Sequence, residues 1–309
     1  MSLTSQRRRT AGVVTSVVLS TQLDSCLAHS HPERIGHHHS WAARIEPGRL
    51  GVIPHMHAEF RRRLRAGDKL YGTMVTVESP ELIEALCYVG FDWLFIETEH
   101  APLLPNAVQN IVRTAGAMPC LVRLSRGDEV SIKRALDAGA AGIIVPQVNS
   151  AAHARLIVSY AKYAPFGTRG IGLSRASTYG MKMDDYLAEA NDSTTVAVQA
   201  EHIDAVENIE EICAVEGLDA VLIGTYDLSA SLNKTGQLDA PEVVAAVAHV
   251  REVCRASGMR MGCFGGTPAA LKPRQDEGFT LLCSGADVAV FAAANQTMLA
   301  ELKNQVSPI

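Results

Sequence analysis

Residues 194–231 read TTVAVQAEHIDAVENIEEICAVEGLDAVLIGTYDLSAS, and this stretch decides the fold. A β-branched run at 194–198 leads to Glu201, a helical pattern follows, and a second apolar run at 220–223 leads to Asp227. Strand, helix and strand in this order predict two parallel neighbours joined by a right-handed crossover. Glu201 and Asp227 are then expected at the carboxyl edge of the sheet, where α/β proteins place their chemistry.

Two carboxylates that converge at one edge repel each other unless positive charge lies between them. A divalent cation with oxygen ligands would supply that charge, so the pair predicts a metal site. The alternative is that each acid merely caps the helix that follows it. Spacing alone favours both interpretations equally.

The composition limits the class of protein. A length of 309 residues allows one large domain or two medium ones. The net charge of −5 argues against a nucleic-acid partner. The sequence contains no run of 18 apolar residues, so we predict no membrane span. The seven cysteines show no CxxC pair, which favours a reducing, cytoplasmic location and no structural zinc.

The first 55 residues differ from the rest of the chain. They carry six arginines against three acids and six of the eleven histidines, without any strand–helix rhythm. We predict a disordered extension over 1–55 and a folded domain over 56–309. An arginine-rich, acid-poor start is also typical of a mitochondrial presequence, which is the alternative interpretation.

From His57 onward, strand and helix patterns alternate to the end of the chain. Eight such units in roughly 250 residues predict a (β/α)8 TIM barrel. The runner-up, an open doubly wound sheet, lacks a GxGxxG motif after the first strand. Strands are predicted near 70–77, 92–99, 119–125, 141–148, 194–201, 218–226, 260–265 and 283–291. One long connection, 165–193, holds several glycines around Arg169 and is interpreted as a lid or a partner contact.

Further polar residues fall at predicted strand ends. Glu97, Glu99 and His100 follow the second strand, and a histidine beside carboxylates suits acid–base work. Arg123 interrupts an apolar run of the third strand, where a buried guanidinium needs an anionic partner. That partner is either a substrate carboxylate or one of the two glutamates. No lysine occupies these strand ends, which argues against Schiff-base chemistry.

From about Ala58 to the C-terminus, the sequence resembles the HpcH/HpaI aldolase family, which includes metal-dependent pyruvate aldolases and macrophomate synthase. The resemblance rests on many motifs in the same order. They are Pro80-Glu81-Leu82-Ile83-Glu84, Phe91–Pro102, Ile132–Ala140, Val145-Pro146-Gln147-Val148, Gly167-Thr168-Arg169-Gly170, Gln199-Ala200-Glu201, Ala205–Ile209 and Ile223–Ser231.

The resemblance implies roles for matching residues. Glu201 and Asp227 match the metal ligands, and Mg²⁺ is the expected ion, with Mn²⁺ or Co²⁺ as alternatives. The implied catalytic residues are His100, Arg123, Glu97 and Asp137, where the two acids would support the histidine. The implied substrate-binding residues are Gln199, Gly224, Thr225 and Arg123. The family usually has aspartate in place of Glu97 and often proline in place of Thr225.

The implied activity is class II aldolase cleavage of a hydroxy-2-oxo acid to pyruvate and an aldehyde through a metal-bound enolate. The alternatives are oxaloacetate decarboxylation, macrophomate synthase-like chemistry, cleavage of CoA thioesters, and a non-enzymatic binding or assembly barrel. The implied partners are a small 2-oxo acid and further copies of the chain, as a dimer or a hexamer. The final helix, 293–306, carries apolar residues along one side and would mediate that assembly.

Overall fold

A computed structural model describes residues 53–305 and shows a closed barrel of parallel strands in which each strand pairs with the next and the last with the first. The predicted (β/α)8 barrel is confirmed. The strands are β1 Leu70–Val75, β2 Trp93–Glu97, β3 Cys120–Arg123, β4 Gly142–Val145, β5 Thr195–Ala200, β6 Ala220–Ile223, β7 Arg260–Gly265 and β8 Leu281–Ala286. The predicted extension, 1–55, lies outside the described residues apart from its last three.

Helices follow the strands and cover the outside of the barrel. They are α1 Ile53–Ala66, α2 Pro80–Val89, α3 Pro105–Ala115, α4 Glu129–Asp137, α5 Ala151–Ala161, α6 Met183–Ser193, α7 Ile203–Glu207, α8 Ile209–Cys213, α9 Thr225–Ser231, α10 Pro241–Ser257, α11 Pro268–Asp276 and α12 Asp287–Gln305. Within 53–305, none of these helices is both long and apolar enough to cross a membrane.

Three boundaries differ from the sequence prediction. The long connection 165–193 contains α6, and the helical pattern predicted between Glu201 and the apolar run at 220–223 forms two short helices, α7 and α8, divided at Asn208. The strand predicted near 283–291 ends at Ala286. The reason is Asp287, whose carboxylate accepts the N–H of Val288 at 2.8 Å and the N–H of Thr76 at 2.8 Å. Asp287 thereby starts α12 and ties it to the end of β1.

Helix α1 closes the amino end of the barrel. Its buried Phe60 and Leu64 pack with Leu70, Trp93 and Leu281, which belong to the apolar cluster inside the barrel. A second and larger cluster lies between the strands and the outer helices. Apolar side chains thus fill the amino end of the barrel, and the predicted polar site residues lie at the opposite, carboxyl rim.

A buried ionic network holds α1 in place. Arg61 donates to both carboxylate oxygens of Asp219, at 3.0 and 2.9 Å, and to the carbonyl of Asp192 at 3.1 Å. Asp219 also accepts the N–H of Val196 at 3.0 Å. Burial lowers the pKa of the neighbouring Lys162 to about 7, with a further contribution from the charge of Arg61. The network joins α1 to the amino ends of β5 and β6.

We predict that Arg61→Met destabilises the domain by about 3–5 kcal/mol, because it leaves the Asp219 carboxylate buried without its partner. The measurement is the free energy of unfolding from urea denaturation. Arg62→Met is the matched control, since Arg62 pairs with Glu59 on the same helix at the exposed surface. Equal losses in both variants would contradict a structural role for the buried pair.

Candidate active site

The carboxyl rim of the barrel brings most of the predicted site residues together. Glu97 and Arg123 end the neighbouring strands β2 and β3 and are register partners. Glu201 directly follows β5. Asp227 lies in the first turn of α9, which begins one residue after β6, rather than at the end of the strand itself. The predicted convergence of these side chains at one edge therefore holds.

Glu97 is the most deeply placed acid of the rim, with an exposed fraction of 1%. One carboxylate oxygen is ion-paired with the Arg123 guanidinium. The other accepts the backbone N–H groups of Glu99 and His100, at 2.7 and 3.0 Å. Glu97 therefore fixes the backbone of the loop after β2, and its contact with His100 is through the main chain rather than the imidazole.

Arg123 is held from several sides. Its Nε lies 3.4 Å from the nearer carboxylate oxygen of Glu99, and its guanidinium carbon lies 5.4 Å from the centre of the Phe95 ring. These contacts fix the plane of the fork. Nε is buried and lacks a hydrogen bond of acceptable geometry. A donor of this kind is available to an anionic ligand that reaches the rim.

Glu99 contributes more to the site than its sequence pattern suggested. Its carboxylate lies 3.9 Å from the His100 ring nitrogen Nε2, and the imidazole is largely exposed. Burial raises the pKa of Glu99, Arg123 and His100 oppose that effect, and the charges of Glu97 and Asp227 add to it. The histidine predicted to transfer protons is therefore beside an acid at the mouth of the barrel.

Glu201 is held by two donors below the rim. It accepts the backbone N–H of Gln147 at 2.8 Å and the side-chain amide of Gln199 at 2.7 Å. Gln147 has φ 54°, a left-handed conformation that is uncommon for a non-glycine residue. Sequence reasoning missed Gln147 as a site residue, because a backbone donor has no side-chain signature.

Gly224 is required by the position of Glu201. A Cβ atom at residue 224 would lie 2.5 Å from a carboxylate oxygen of Glu201 and 2.7 Å from its Cβ. Glycine thus lets the backbone that leads into α9 pass directly over the carboxylate. The next residue, Thr225, is half-buried and opens α9. The predicted pocket residues Gly224 and Thr225 therefore connect the two predicted metal ligands.

The charges around Glu201 fit a cation. Burial raises the pKa of Glu201 to about 7, and the charges of Glu99 and Asp227 raise it further, while the Gln147 N–H and Arg123 oppose them. The side-chain oxygen of Gln199 is buried and has no hydrogen-bond donor. An all-oxygen donor set with excess negative charge suits a hard divalent ion.

The set of protein ligands is small. Over residues 53–305, no three side chains of histidine, cysteine, aspartate or glutamate are placed to hold a metal by themselves. Mg²⁺ commonly uses one or two carboxylates and takes its other ligands from substrate and water. The Glu201 and Asp227 pair fits that mode of binding.

Asp137 lies at the other end of the barrel. It is the last residue of α4, where it forms an ion pair of 2.8 Å with the buried Arg169. The guanidinium of Arg169 lies 4.6 Å from the centre of the Tyr163 ring. The structure does not bring Asp137 to His100 within this chain. Because Ala176 donates its N–H to the Asp137 carbonyl, the connection 165–193 lies at this end and is no lid over the chain's own site.

Comparisons with known proteins agree with this geometry. The model of the family described as HpcH/HpaI aldolase/citrate lyase matches residues 71–294. The chain is 36% identical over 252 residues to the hydroxypyruvate/pyruvate aldolase of Cupriavidus necator, across 80% of this chain and 93% of that protein. It is 37% identical over 241 residues to the 2-dehydro-3,6-dideoxy-6-sulfogluconate aldolase of Pseudomonas putida, across 77% and 94%.

Solved structures show the same likeness. The crystal structure of an HpcH/HpaI aldolase/citrate lyase family protein from Burkholderia cenocepacia superposes with a TM-score of 0.77 at 33% identity. The match covers 80% of this chain and 99% of that protein. The folded domain therefore corresponds to nearly the whole length of these relatives.

Proposed function

The chain belongs to the HpcH/HpaI aldolase/citrate lyase family, and we propose that its rim site cleaves a hydroxy-2-oxo acid into pyruvate and an aldehyde. The chain is a carbon–carbon lyase of the aldolase type, as its relatives at 36% and 37% identity are named aldolases. The observation that carries the proposal is a guanidinium, Arg123, at the same rim as the carboxylates Glu201 and Asp227. This arrangement can meet the carboxylate and the keto oxygen of a 2-oxo acid with positive charge.

We propose a divalent ion as the cofactor, with Mg²⁺ first and Mn²⁺ or Co²⁺ as alternatives. Glu201 and Asp227 would hold it, with Gln199 beside them. When bound, the ion supplies positive charge that stabilises oxygen anions of the substrate. Gln147 and Gln199 keep the Glu201 carboxylate oriented, because each occupies one of its oxygens.

Arg123 has the role of stabilising charge that develops on the keto oxygen as the carbon–carbon bond breaks. Its fork is preorganised by Glu97 and by the Phe95 ring, so little reorganisation is needed when that charge appears. Gly224 and Thr225 lie in the chain between β6 and Asp227, close to both proposed metal ligands, and would contact the substrate there. A divalent ion held by Glu201 and Asp227 would orient a bound 2-oxo acid against Arg123.

His100 has the role of moving the proton of the substrate hydroxyl. Its imidazole is exposed at the mouth of the barrel, and its Nε2 lies 3.9 Å from the Glu99 carboxylate. Glu97 positions His100 by holding its backbone N–H. Asp137 remains only a predicted support for His100, since it lies at the opposite end of the barrel within this chain.

The metal is tested by removal and replacement. We predict that a chelator abolishes pyruvate release from hydroxy-oxo acids and that Mg²⁺ or Mn²⁺ restores it. Asp227→Asn should weaken metal binding while the melting temperature changes little, because Asp227 is exposed. Asp204→Asn, an exposed acid in the first turn of α7, is the control and should behave as the parent. Full activity in metal-free protein would refute the mechanism.

The roles of Arg123 and His100 are separated by two reactions. Arg123→Lys should slow both aldol cleavage and oxaloacetate decarboxylation, because negative charge develops on the same keto oxygen in both reactions. Lysine is chosen because it keeps a positive charge near Glu97. His100→Ala should slow aldol cleavage by about 10²–10⁴-fold and affect decarboxylation much less, since oxaloacetate has no hydroxyl to deprotonate. The measurement is kcat for each reaction. Equal losses for His100→Ala would exclude a role at the hydroxyl proton.

We propose further that the chain forms a homo-oligomer, a dimer or a hexamer, through α12. This helix is exposed along nearly its whole length and carries large apolar side chains that its own barrel does not cover. They are Val288, Val290, Phe291, Met298, Leu299 and Leu302, each more than half exposed. A helix of this kind gains stability by burying its apolar side chains against a second copy.

We predict that Phe291→Ser combined with Leu299→Ser reduces the molar mass in solution, because it removes apolar area from the contact between copies. The measurement is light scattering after size exclusion at micromolar concentration. Val244→Ser is the matched control, since Val244 is 53% exposed on α10 and lies outside the proposed contact. A monomeric parent chain at that concentration would contradict the proposal.

A further inference from the structure

Two thiols lie in direct contact on the side of the barrel, away from the candidate site. The sulfur atoms of Cys213, the last residue of α8, and Cys254, in α10, are 3.7 Å apart. Their exposed fractions are 8% and 0%. Among the cysteines of residues 53–305, this is the one thiol–thiol contact within hydrogen-bonding distance. The aldolase mechanism uses neither residue.

The environment makes the two thiols unequal. The hydrogen bond between the two thiols lowers the pKa of Cys213, and a hydrogen bond involving Ser257 lowers it further, whereas burial raises it. The same contact and burial raise the pKa of Cys254. Cys213 is also the more accessible of the two thiols, because Cys254 is completely buried. A pair of this kind, with one reactive thiol and one neighbour to resolve it, is typical of oxidation sites.

We propose that Cys213 and Cys254 are an oxidation site at which a peroxide forms an intrachain disulfide that joins α8 to α10. The Cys213 thiolate attacks one peroxide oxygen and breaks the O–O bond, which gives a sulfenic acid and, after protonation, one molecule of water. The Cys254 thiol then attacks the sulfenic sulfur, its proton leaves with the hydroxyl as a second water, and the S–S bond forms. Two thiols are oxidised, and one molecule of hydrogen peroxide is reduced to two of water.

The required movement is small. A disulfide needs the sulfurs at about 2.05 Å, so the two atoms approach by about 1.7 Å, within the reach of side-chain rotation and a slight helix shift. The crosslink closes the segment from 213 to 254, which contains β6 and α9. Because it restricts the unfolded chain, it raises the melting temperature of the domain.

In the test, the full-length protein is treated with hydrogen peroxide, and the folded fraction is collected by size exclusion. That fraction is then alkylated under denaturing conditions and digested with trypsin. Cleavage after Lys182, Lys234, Arg251 and Arg255 places the two cysteines in separate peptides, 183–234 and 252–255. We expect these peptides joined, with a mass about 2 Da below their sum, and separated again by a reductant. The oxidised parent should melt several degrees higher than the reduced parent.

The controls are single serine variants. Cys213→Ser and Cys254→Ser should each abolish the joined peptide and the rise in melting temperature. Cys87→Ser, which changes a thiol outside the pair, should retain both. Separate alkylation of both cysteines after peroxide treatment would overturn the proposal. A joined peptide with an unchanged or lower melting temperature would overturn the stabilising role.

Discussion

Glu97 is buried at the carboxyl end of the barrel, and its negative charge must be compensated there because water does not reach it. The Arg123 guanidinium and the N–H groups of Glu99 and His100 supply that compensation. The same contacts fix the guanidinium and the loop that carries the histidine. The two catalytic roles proposed for Arg123 and His100 therefore depend on one buried carboxylate, and loss of either partner of such a pair typically costs about 3–5 kcal/mol.

The stabilising ionic network and the candidate active site lie at opposite ends of the barrel. At the amino end, the buried Asp219 carboxylate is paired with Arg61 and also accepts the N–H of Val196 in β5. At the carboxyl end, Glu201 and Asp227 leave negative charge in excess, and the side-chain oxygen of Gln199 has no donor. The unbalanced charge and the unsatisfied oxygen at this end support the proposed binding of a cation and an anionic substrate there.

The Glu97 carboxylate contacts the arginine and the main chain rather than the histidine ring. With glutamate at 97, the carboxylate reaches Arg123 and the backbone of the loop, and it leaves the His100 ring to Glu99. The His100 imidazole is accordingly largely exposed, and it is not buried in a pair with Glu97. In the proposed mechanism, proton transfer would take place at the mouth of the barrel, and bond cleavage would take place deeper, against Arg123.

The sequence by itself determined the barrel, the rim and the chemical types found there. The period and spacing of the apolar residues place Glu201 and Asp227 after two neighbouring strands. Because the strands are parallel, their carboxyl ends lie on the same side of the barrel. Only the tertiary structure decided the Gln147 donor, the close passage of Gly224 over Glu201, and the position of Asp137 at the far end. These depend on main-chain direction and on contacts between distant segments, which no local pattern of residues encodes.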